Sequence, residues 1–163
     1  MFSFLKKSFK SFLLLELLQG LRVTWKHFLG KGITIHYPEE KIPKSFRFRG
    51  LHALMCYDNG EERCIGCKLC EIVCPARAIT METGINKNGL RGTISYEIDL
   101  FKCIFCGYCE EACPVDSIVE TGISEYHFYD RESCVLTKEK LLSIGRKFKD
   151  DIKEMKKSDS YYR

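Results

Sequence analysis

The chain has 163 residues, about the length of one domain. Apolar residues make up 45% of it and charged residues 29%, a composition that supports a hydrophobic core and excludes collagen-like, low-complexity and globally disordered chains. The longest unbroken apolar run near the N-terminus, residues 12–15, ends at Glu16, far short of the ~20 residues of a membrane span, which excludes a polytopic membrane protein. Ten residues are cysteine, and the function depends on what these thiols bind.

Charge is distributed along the chain in three blocks. Residues 1–50 contain ten Lys or Arg against three Asp or Glu, residues 51–125 contain six against twelve, and residues 126–163 contain ten against seven. Nucleic-acid-binding proteins concentrate basic charge on the folded module, so this pattern does not predict nucleic-acid binding. It favours a compact acidic centre whose basic ends contact acidic lipid headgroups or partner subunits.

The N-terminal arm contains two apolar stripes at helical spacing. The first consists of Phe2, Leu5, Phe9 and Phe12, and the second of Leu14, Leu18, Leu21, Trp25 and Phe28. At 100° per residue the stripes point about 160° apart, which predicts either two helices with a break near Phe12 or one helix buried on different sides. Lysines beside the first stripe and Trp25 in the second favour a helix on a membrane surface or against a partner subunit over one packed on its own domain.

The first twelve residues also share features with a mitochondrial presequence. Lys, Ser and Phe dominate them and no acidic residue precedes Glu16, but arginine, the usual basic residue of such segments, first occurs at Arg22. We therefore expect no cleaved presequence. A secretory signal is disfavoured because Glu16 interrupts the apolar stretch.

A duplicated segment follows an extended connector that is predicted over residues 37–50. Residues 64–79 are CIGCKLCEIVCPARAI and residues 103–118 are CIFCGYCEEACPVDSI, identical at eight of sixteen positions with an offset of 39. Internal similarity of this kind indicates two related structural units.

Each half is predicted to be a β-hairpin and a helical turn around its cysteines. Residues 93–99 alternate polar and apolar with Ile94, Tyr96 and Ile98 on one side, which predicts a half-buried strand. A turn-rich segment before it predicts that residues 79–82 pair back on this strand, and residues 118–120 and 126–129 would form the corresponding hairpin. We expect a short helix after each Cys-Pro pair, since proline is tolerated in a first helical turn.

The C-terminal segment is predicted to be helical. Thr137 is a suitable N-cap, and a partial apolar stripe continues to Met155 among many charged residues. We interpret this charged helix as one that faces solvent, and we assign it no chemical role.

Eight of the ten cysteines form two runs with the spacing C-x2-C-x2-C-x3-C-P. This spacing is the bacterial ferredoxin signature for a [4Fe–4S] cluster, and in two-cluster proteins the fourth cysteine of each run ligates the other cluster. Three thiolates two residues apart can wrap a loop around three corners of a cube, and the exchanged ligand holds the two clusters close together. The predicted ligands of the first cluster are Cys64, Cys67, Cys70 and Cys113, and those of the second are Cys103, Cys106, Cys109 and Cys74.

Other uses of the thiols are less favoured. Zinc ribbons use paired C-x2-C knuckles with four ligands in total, which two complete runs fit poorly, and a disulfide framework needs an oxidising compartment that the sequence does not indicate. Cys56 and Cys134 lie outside both runs and are predicted to be incidental thiols. The histidines lack ligand-like pairing, so neither haem nor a Rieske centre is predicted. They are His27, His36, His52 and His127.

Side chains between the ligands are expected to shield the clusters from water and tune their potentials. They are Ile65, Leu69, Ile104, Phe105 and Tyr108. We interpret Phe105 and Tyr108 as core residues rather than electron relays. No nucleophile and base arrangement, phosphate-binding glycine loop or flavin motif occurs, so no catalytic residue is predicted on this chain.

Sequence beyond the cysteines carries a more specific resemblance. Residues 60–71, GEERCIGCKLCE, and residues 96–122, YEIDLFKCIFCGYCEEACPVDSIVETG, closely resemble subunit I of the proton-pumping NADH:quinone oxidoreductase, respiratory complex I. The likeness extends to residues 37–40, 46–54 and 137–142. A generic ferredoxin would share only the cysteines. The family pattern is not followed at Met55, Cys56, Asp58 and Cys134, which bears on a local surface contact and not on the clusters.

The resemblance implies an electron-transfer subunit of a multi-subunit enzyme, without a complete substrate site of its own. Its two [4Fe–4S] clusters would relay electrons from the NADH side towards the cluster beside the quinone. Its partners would be other subunits of the peripheral and membrane arms and the membrane surface, without nucleic acid. The expected location is peripheral, on the cytoplasmic face of a bacterial inner membrane, or less favourably on the matrix side of the mitochondrial inner membrane.

The expected fold is α+β, a pseudo-twofold bacterial ferredoxin-like module with an N-terminal amphipathic helical arm and a C-terminal helix. The predicted domains are a docking arm and connector (1–50), the two-cluster module (51–130) and a helical tail (131–163). Alternatives are a free-standing two-cluster ferredoxin and the ferredoxin-like subunit of a related membrane-bound hydrogenase. The basic arm argues against the first, because a diffusible carrier needs no such extension.

Overall fold

The structure is a computed structural model that describes residues 14–85, 89 and 91–161. It divides into two compact units with the boundary between Pro43 and Lys44. The predicted three-part division at residues 50 and 130 stays a prediction. No helix among the described residues is long and apolar enough to cross a membrane.

In the N-terminal unit, the second apolar stripe lies on helix α1 (Leu15–Phe28). Leu14 precedes it with a left-handed φ of 50°, so the helix begins there and does not continue through residue 14. No residue of α1 is buried, and Leu14, Leu18, Leu21, Trp25 and Phe28 are all 57–78% exposed. The first stripe, residues 2–12, lies outside the described residues.

The second unit contains a three-stranded antiparallel sheet in the order β2 (Ile79–Ile85), β3 (Arg91–Asp99), β5 (Val135–Thr137). The predicted hairpin between the first two strands is confirmed, with Ile79 opposite Ile98. Tyr96 and Ile98 are fully buried as the alternation predicts.

A bulge changes which residues of β3 point inward. The register slips between Glu82 and Thr83, so that Glu82 faces Ser95 but Thr83 faces Thr93. Ile94 is skipped in this pairing and is 63% exposed, whereas Thr93 is 2% exposed. The prediction that Ile94 shares the buried side with Tyr96 is therefore wrong, because one extra residue reverses the alternation.

A second sheet consists of β1 (His52–Leu54) and β4 (Ile118–Glu120), which are antiparallel. The predicted pairing of residues 118–120 with residues 126–129 is wrong. All three residues of β1 are buried, whereas Tyr129 is 93% exposed. Pairing β4 with β1 therefore covers more apolar surface than pairing it with a segment that faces solvent.

The short helices precede the Cys-Pro pairs and do not follow them as predicted. They are α2 (Leu69–Val73) and α3 (Tyr108–Glu111). Cys74 leaves α2 in an extended conformation with ψ of 110°, because a residue before proline is disfavoured in the helical region. Each proline begins a tight turn.

The C-terminal segment forms two helices, α4 (Lys138–Lys147) and α5 (Lys149–Asp159), with Thr137 at the predicted N-cap position. These helices are more than a solvated face, because Leu141, Leu142 and Ile152 are buried. The core joins both sheets and α4, and it includes Tyr96, Ile98, Leu54, Ile118 and Leu141. Two cysteines of the runs, Cys70 and Cys109, belong to this core, and three more, Cys64, Cys74 and Cys113, pack against it.

Candidate iron–sulfur centre

Two cavities lie inside the second unit. Cysteines from both runs line one of them, together with Tyr96 and Met81. These cysteines are Cys64, Cys67, Cys70 and Cys113. We call this cavity site A.

The other cavity has His52 and Ile79 in its wall. The cysteines that line it are Cys74, Cys103, Cys106 and Cys109. We call this cavity site B. Each site therefore has three cysteines of one run and the fourth cysteine of the other, the same grouping that the spacing predicts.

The donor set fits iron–sulfur chemistry. Burial raises the pKa of Cys70, Cys103 and Cys109, so these thiols hold their protons unless a positive metal centre stabilises the thiolates. No three His, Cys, Asp or Glu side chains within residues 14–85, 89 and 91–161 lie close enough to hold one metal ion. A cubane cluster differs in that each cysteine binds a separate iron, which needs four thiolates spread around a cavity.

The duplication is visible in the backbone around these sites. Positive φ angles recur at positions related by the offset of 39, and they belong to Gly66 and Phe105, Lys68 and Gly107, and Arg77 and Asp116. Non-glycine residues thus adopt an unfavourable left-handed conformation in both halves. Strain repeated at matched positions indicates that the cysteine loops require this backbone path.

The fourth cysteine of each run accepts an equivalent backbone hydrogen bond. The Ala78 N–H donates to Cys74 Sγ at 3.3 Å, and the Ser117 N–H donates to Cys113 Sγ at 3.2 Å. Hydrogen bonds to a ligating sulfur orient it and disperse its charge. The turn after each Cys-Pro therefore positions the exchanged cysteine.

Two hydroxyl groups of β3 contact cysteines of site A. The Tyr96 hydroxyl donates to Cys70 Sγ at 3.3 Å, and Thr93 Oγ1 lies 2.9 Å from Cys64 Sγ. Tyr96 is 1% exposed, and burial raises the pKa of its phenol well above 10, so it remains a donor. Alternation in the sequence located Tyr96 on the buried face, but the bulge that turns Thr93 inward left no signal in the sequence.

Site B has a buried imidazole and a buried carboxylate beside it. His52 Nε2 lies 3.9 Å from Cys103 Sγ and 3.5 Å from Glu120 Oε1. Burial lowers the pKa of His52 to about 4, so the imidazole is neutral at pH 7. Burial raises the pKa of Glu120 to about 7, and the Arg49 guanidinium, 3.7 Å away, partly opposes that rise.

Arg49 connects the segment before β1 to the cysteine loop of site B. Its guanidinium donates to the Cys106 carbonyl oxygen, and it lies 3.3 Å from the Glu111 carboxylate. It also lies against Gly107, where an added Cβ would come within 2.7 Å of Arg49 Nε. Arg49, His52 and Glu120 belong to no sequence motif, and the contacts that place them beside site B join residues 57, 68 and 71 positions apart.

Four of the five side chains predicted to shield the clusters are exposed, and only Phe105 is partly buried. Ile65 lines site A and Ile104 lines site B, and these side chains are 46% and 64% exposed. Phe105 packs against the core and its ring lies 5.5 Å from that of His52, as a core residue should. Tyr108 is 49% exposed, so its interpretation as core is wrong. Leu69 is 44% exposed.

The two remaining cysteines lie elsewhere. Cys56 is buried and pairs in a β-bridge with Glu62, and Cys134 donates through its thiol to the Asp130 carbonyl oxygen at 3.4 Å. All ten cysteines fall within the described residues, and none of them forms a disulfide. Neither Cys56 nor Cys134 is among the described residues that line sites A and B.

Comparisons with known proteins agree with this chemistry. A family model described as a 4Fe-4S dicluster domain matches residues 63–117. The NADH-quinone oxidoreductase subunit I of Francisella philomiragia is 61% identical over 155 residues, which cover 95% of this chain and 96% of that protein. The protein of the same name from Francisella tularensis subsp. tularensis is 61% identical over 154 residues, with 94% and 95% coverage.

Among solved structures, a chain of the membrane-bound sulfane sulfur reductase, an archaeal respiratory membrane complex, superposes with a TM-score of 0.48. The two chains are 30% identical, and the match covers 68% of this chain and 55% of that one. The sequence similarity to the Francisella proteins extends far beyond the two cysteine runs.

Proposed function

We infer the function of this chain from its family, since it belongs to the family of NADH-quinone oxidoreductase subunit I. It is an electron-transfer subunit of an oxidoreductase complex and carries two [4Fe–4S] clusters. Within that complex the clusters relay electrons from the NADH side towards the quinone. The chain supplies a conduit, and substrate chemistry takes place on other subunits.

We propose that sites A and B each hold one cluster, with the exchanged ligand sets that the spacing predicts. The observation that carries this proposal is the composition of the two cavity walls. Each wall contains three cysteines of one run and the fourth of the other. A bound [4Fe–4S] cluster supplies a one-electron carrier at each site.

The chain's own residues hold, orient and insulate these carriers. The turns after Cys74 and Cys113 fix the exchanged thiolates by hydrogen bonds from Ala78 and Ser117. Buried core side chains, among them Tyr96 and Leu54, form the inner wall of site A and exclude water from it. The partly exposed Ile104 leaves the outer side of site B accessible to a neighbouring electron carrier.

We also propose that α1 attaches the chain to its complex at the membrane surface. All five members of its apolar stripe are more than half exposed, and amphipathic helices with a tryptophan and flanking basic residues bind interfaces between lipid and water. In this arrangement the chain is peripheral on the cytoplasmic face of a bacterial inner membrane, next to subunits of the peripheral and membrane arms.

Cluster content and membrane association together test the proposed function. Full-length chain reconstituted anaerobically should contain about eight iron and eight sulfide, the content of two [4Fe–4S] clusters. A tagged chain expressed in its own host should be retained on washed membranes and should co-purify with quinone-site and NADH-binding subunits after detergent extraction. A monomeric chain found only in the soluble fraction would instead support a free-standing ferredoxin. Co-purification with hydrogenase subunits would support the ferredoxin-like subunit of a membrane-bound hydrogenase.

A further inference from the structure

The two sheets allow a residue-by-residue comparison of the two cluster sites. Ile79 and Ile118 occupy the same position of the repeat, and they pair with Ile98 and Leu54. Two residues earlier along β3 and β1 come Tyr96 and His52, which are therefore equivalent by register. Across the ladders, Tyr96 faces Met81 and His52 faces Glu120.

The two sites have equivalent sets of cysteine ligands, but the side chains beside those cysteines differ. At site A the pair is a phenol that donates to Cys70 and an apolar methionine, both at most 2% exposed. At site B the same pair of positions holds an imidazole 3.9 Å from Cys103 and a carboxylate that is 8% exposed. A buried donor and a buried acid have opposite effects on a nearby negative charge.

The backbone donors differ by one bond, which would favour reduction at site B and not at site A. The bonds from Ala78 and Ser117 are matched, and each site receives one of them, because the fourth cysteines are exchanged. Site B gains a bond from the Phe105 N–H to Cys103 at 3.4 Å. Site A gains the second hydroxyl, that of Thr93, 2.9 Å from Cys64. Side chains of β1, β3 and β4 therefore make the sites unequal.

We propose that Tyr96 at site A and the His52–Glu120 pair at site B set the two clusters at different potentials, with the site A cluster the more easily reduced. Reduction of a [4Fe–4S] cluster adds one electron, and so one negative charge, without breaking a bond. A hydroxyl donor to a ligating sulfur stabilises that charge and raises the potential. A buried carboxylate lowers the potential to the extent that it is ionised, an effect that the Arg49 guanidinium, 3.7 Å from Glu120, offsets in part. This inference rests on the proposed function, since it requires a cluster in each site.

The consequence is directional. An electron supplied by a one-electron donor, such as the iron–sulfur centre of a neighbouring subunit, rests on the site A cluster at equilibrium. An electron on the site B cluster then has a higher free energy than an electron on the site A cluster. Tyr96 and Glu120 act through the ligands and the field around them, and they are tuning residues, not catalytic ones.

Redox titration of the full-length chain tests the inference. The reconstituted chain, titrated with dithionite under anaerobic conditions and monitored by electron paramagnetic resonance, should show two midpoint potentials. Tyr96→Phe should lower the higher midpoint and leave the lower one in place. Glu120→Gln should raise the lower midpoint and leave the higher one in place. Tyr129→Phe, which alters an exposed phenol, should move neither.

Iron analysis separates the possible failures. A wild-type chain with fewer than about eight iron contradicts the proposed function itself. If the wild-type chain holds eight iron but its two midpoints coincide, only the inference is overturned. The same holds if Tyr96→Phe shifts the lower midpoint, or shifts neither midpoint. If Tyr96→Phe loses iron, the Glu120→Gln titration decides alone, and an unchanged lower midpoint in that variant overturns the inference.

Discussion

Glu120 Oε1 lies 3.5 Å from His52 Nε2 across the β1–β4 ladder, and both side chains are almost completely buried. Burial lowers the pKa of the imidazole to about 4 and raises that of the carboxyl to about 7. Desolvation therefore drives both groups towards their neutral forms, so near neutral pH this contact is not a full ion pair. A buried, partly ionised carboxylate beside a thiolate-rich site is a cost to stability.

We predict that Glu120→Gln gains stability relative to the wild type as pH rises. The raised pKa means that the folded chain binds a proton more tightly than the unfolded chain between the ordinary value of 4.5 and about 7. The wild type therefore loses stability as pH rises through that window. The variant lacks this loss, so its advantage should grow up to about pH 7 and then level off, at no more than about 3 kcal/mol. Anaerobic guanidinium unfolding at several pH values measures it, and a difference that does not change with pH would contradict the assignment.

The repeat explains why so much of the site could be predicted and why some of it could not. Cysteine spacing is a local property of the chain, and it grouped Cys74 with the second run and Cys113 with the first, as the cavities now do. The pairing of strands, in contrast, depends on segments that are far apart in the sequence. The choice of β1 as the partner of β4, and the bulge beside Thr93, depend on which segments exclude water best once the chain has collapsed.

The error in the short helices has a different cause. Proline is compatible with a first helical turn, but it also restricts the residue before it. In this chain that second effect prevails, because Cys74 must leave α2 in an extended conformation to point its thiol into site B. His52 and Arg49 were missed since neither belongs to a motif, and each acquires its role only through contacts with the second half.

Ligand exchange between the runs is the next prediction. Cys74→Ser should damage the site B cluster, although Cys74 belongs to the first run. Two reference variants define the signals, since Cys67→Ser removes a proposed ligand of site A and Cys106→Ser a proposed ligand of site B. The paramagnetic resonance spectrum of reduced Cys74→Ser should match that of Cys106→Ser. A match with Cys67→Ser would show that each run binds its own cluster, and Cys134→Ser should leave both signals intact.

Asp99 stabilises the loop that leads into Cys103. Its carboxylate accepts a hydrogen bond from the Phe101 N–H at 3.0 Å and pairs with Arg131, which together lower its pKa to about 2. Since the arginine is exposed, solvent screens the ion pair, and the loss of the hydrogen bond within the turn is the larger effect of substitution. Asp99→Ala should therefore speed iron release from site B more than from site A, as followed by the two resonance signals under a chelator. Asp130→Ala, which removes a similar turn bond to Ser133, should change neither rate by as much, and equal loss from both sites would contradict this role.

Gly145 sets how closely α4 approaches β1. A Cβ at this position would come within 2.0 Å of the Leu54 carbonyl oxygen, which is backbone and cannot rotate away. Gly145→Ala should force the helix and strand apart and lower the free energy of unfolding by at least about 1–3 kcal/mol. Gly20→Ala is the matched control, because nothing lies within 4 Å of its Cβ and alanine favours a helix by about 0.5–1 kcal/mol over glycine. Gly145→Ala should destabilise the chain in anaerobic denaturation, whereas Gly20→Ala, on a helix without buried residues, should not. A neutral Gly145→Ala would show that α4 is not held against β1.

Membrane attachment through α1 gives the last prediction. Trp25 lies in the exposed apolar stripe, 60% exposed, and Gln19 lies about 140° from the start of that stripe on the same helix. Trp25→Ser should reduce retention of the chain on washed membranes, because the indole supplies the largest apolar contact of the stripe. Gln19→Ser should have little effect, since it changes the polar face. The unaltered iron content of both variants would show that the cluster module is intact, so that a loss confined to Trp25→Ser reports on attachment. Equal retention of both variants would mean that the exposed stripe does not hold this chain at the membrane.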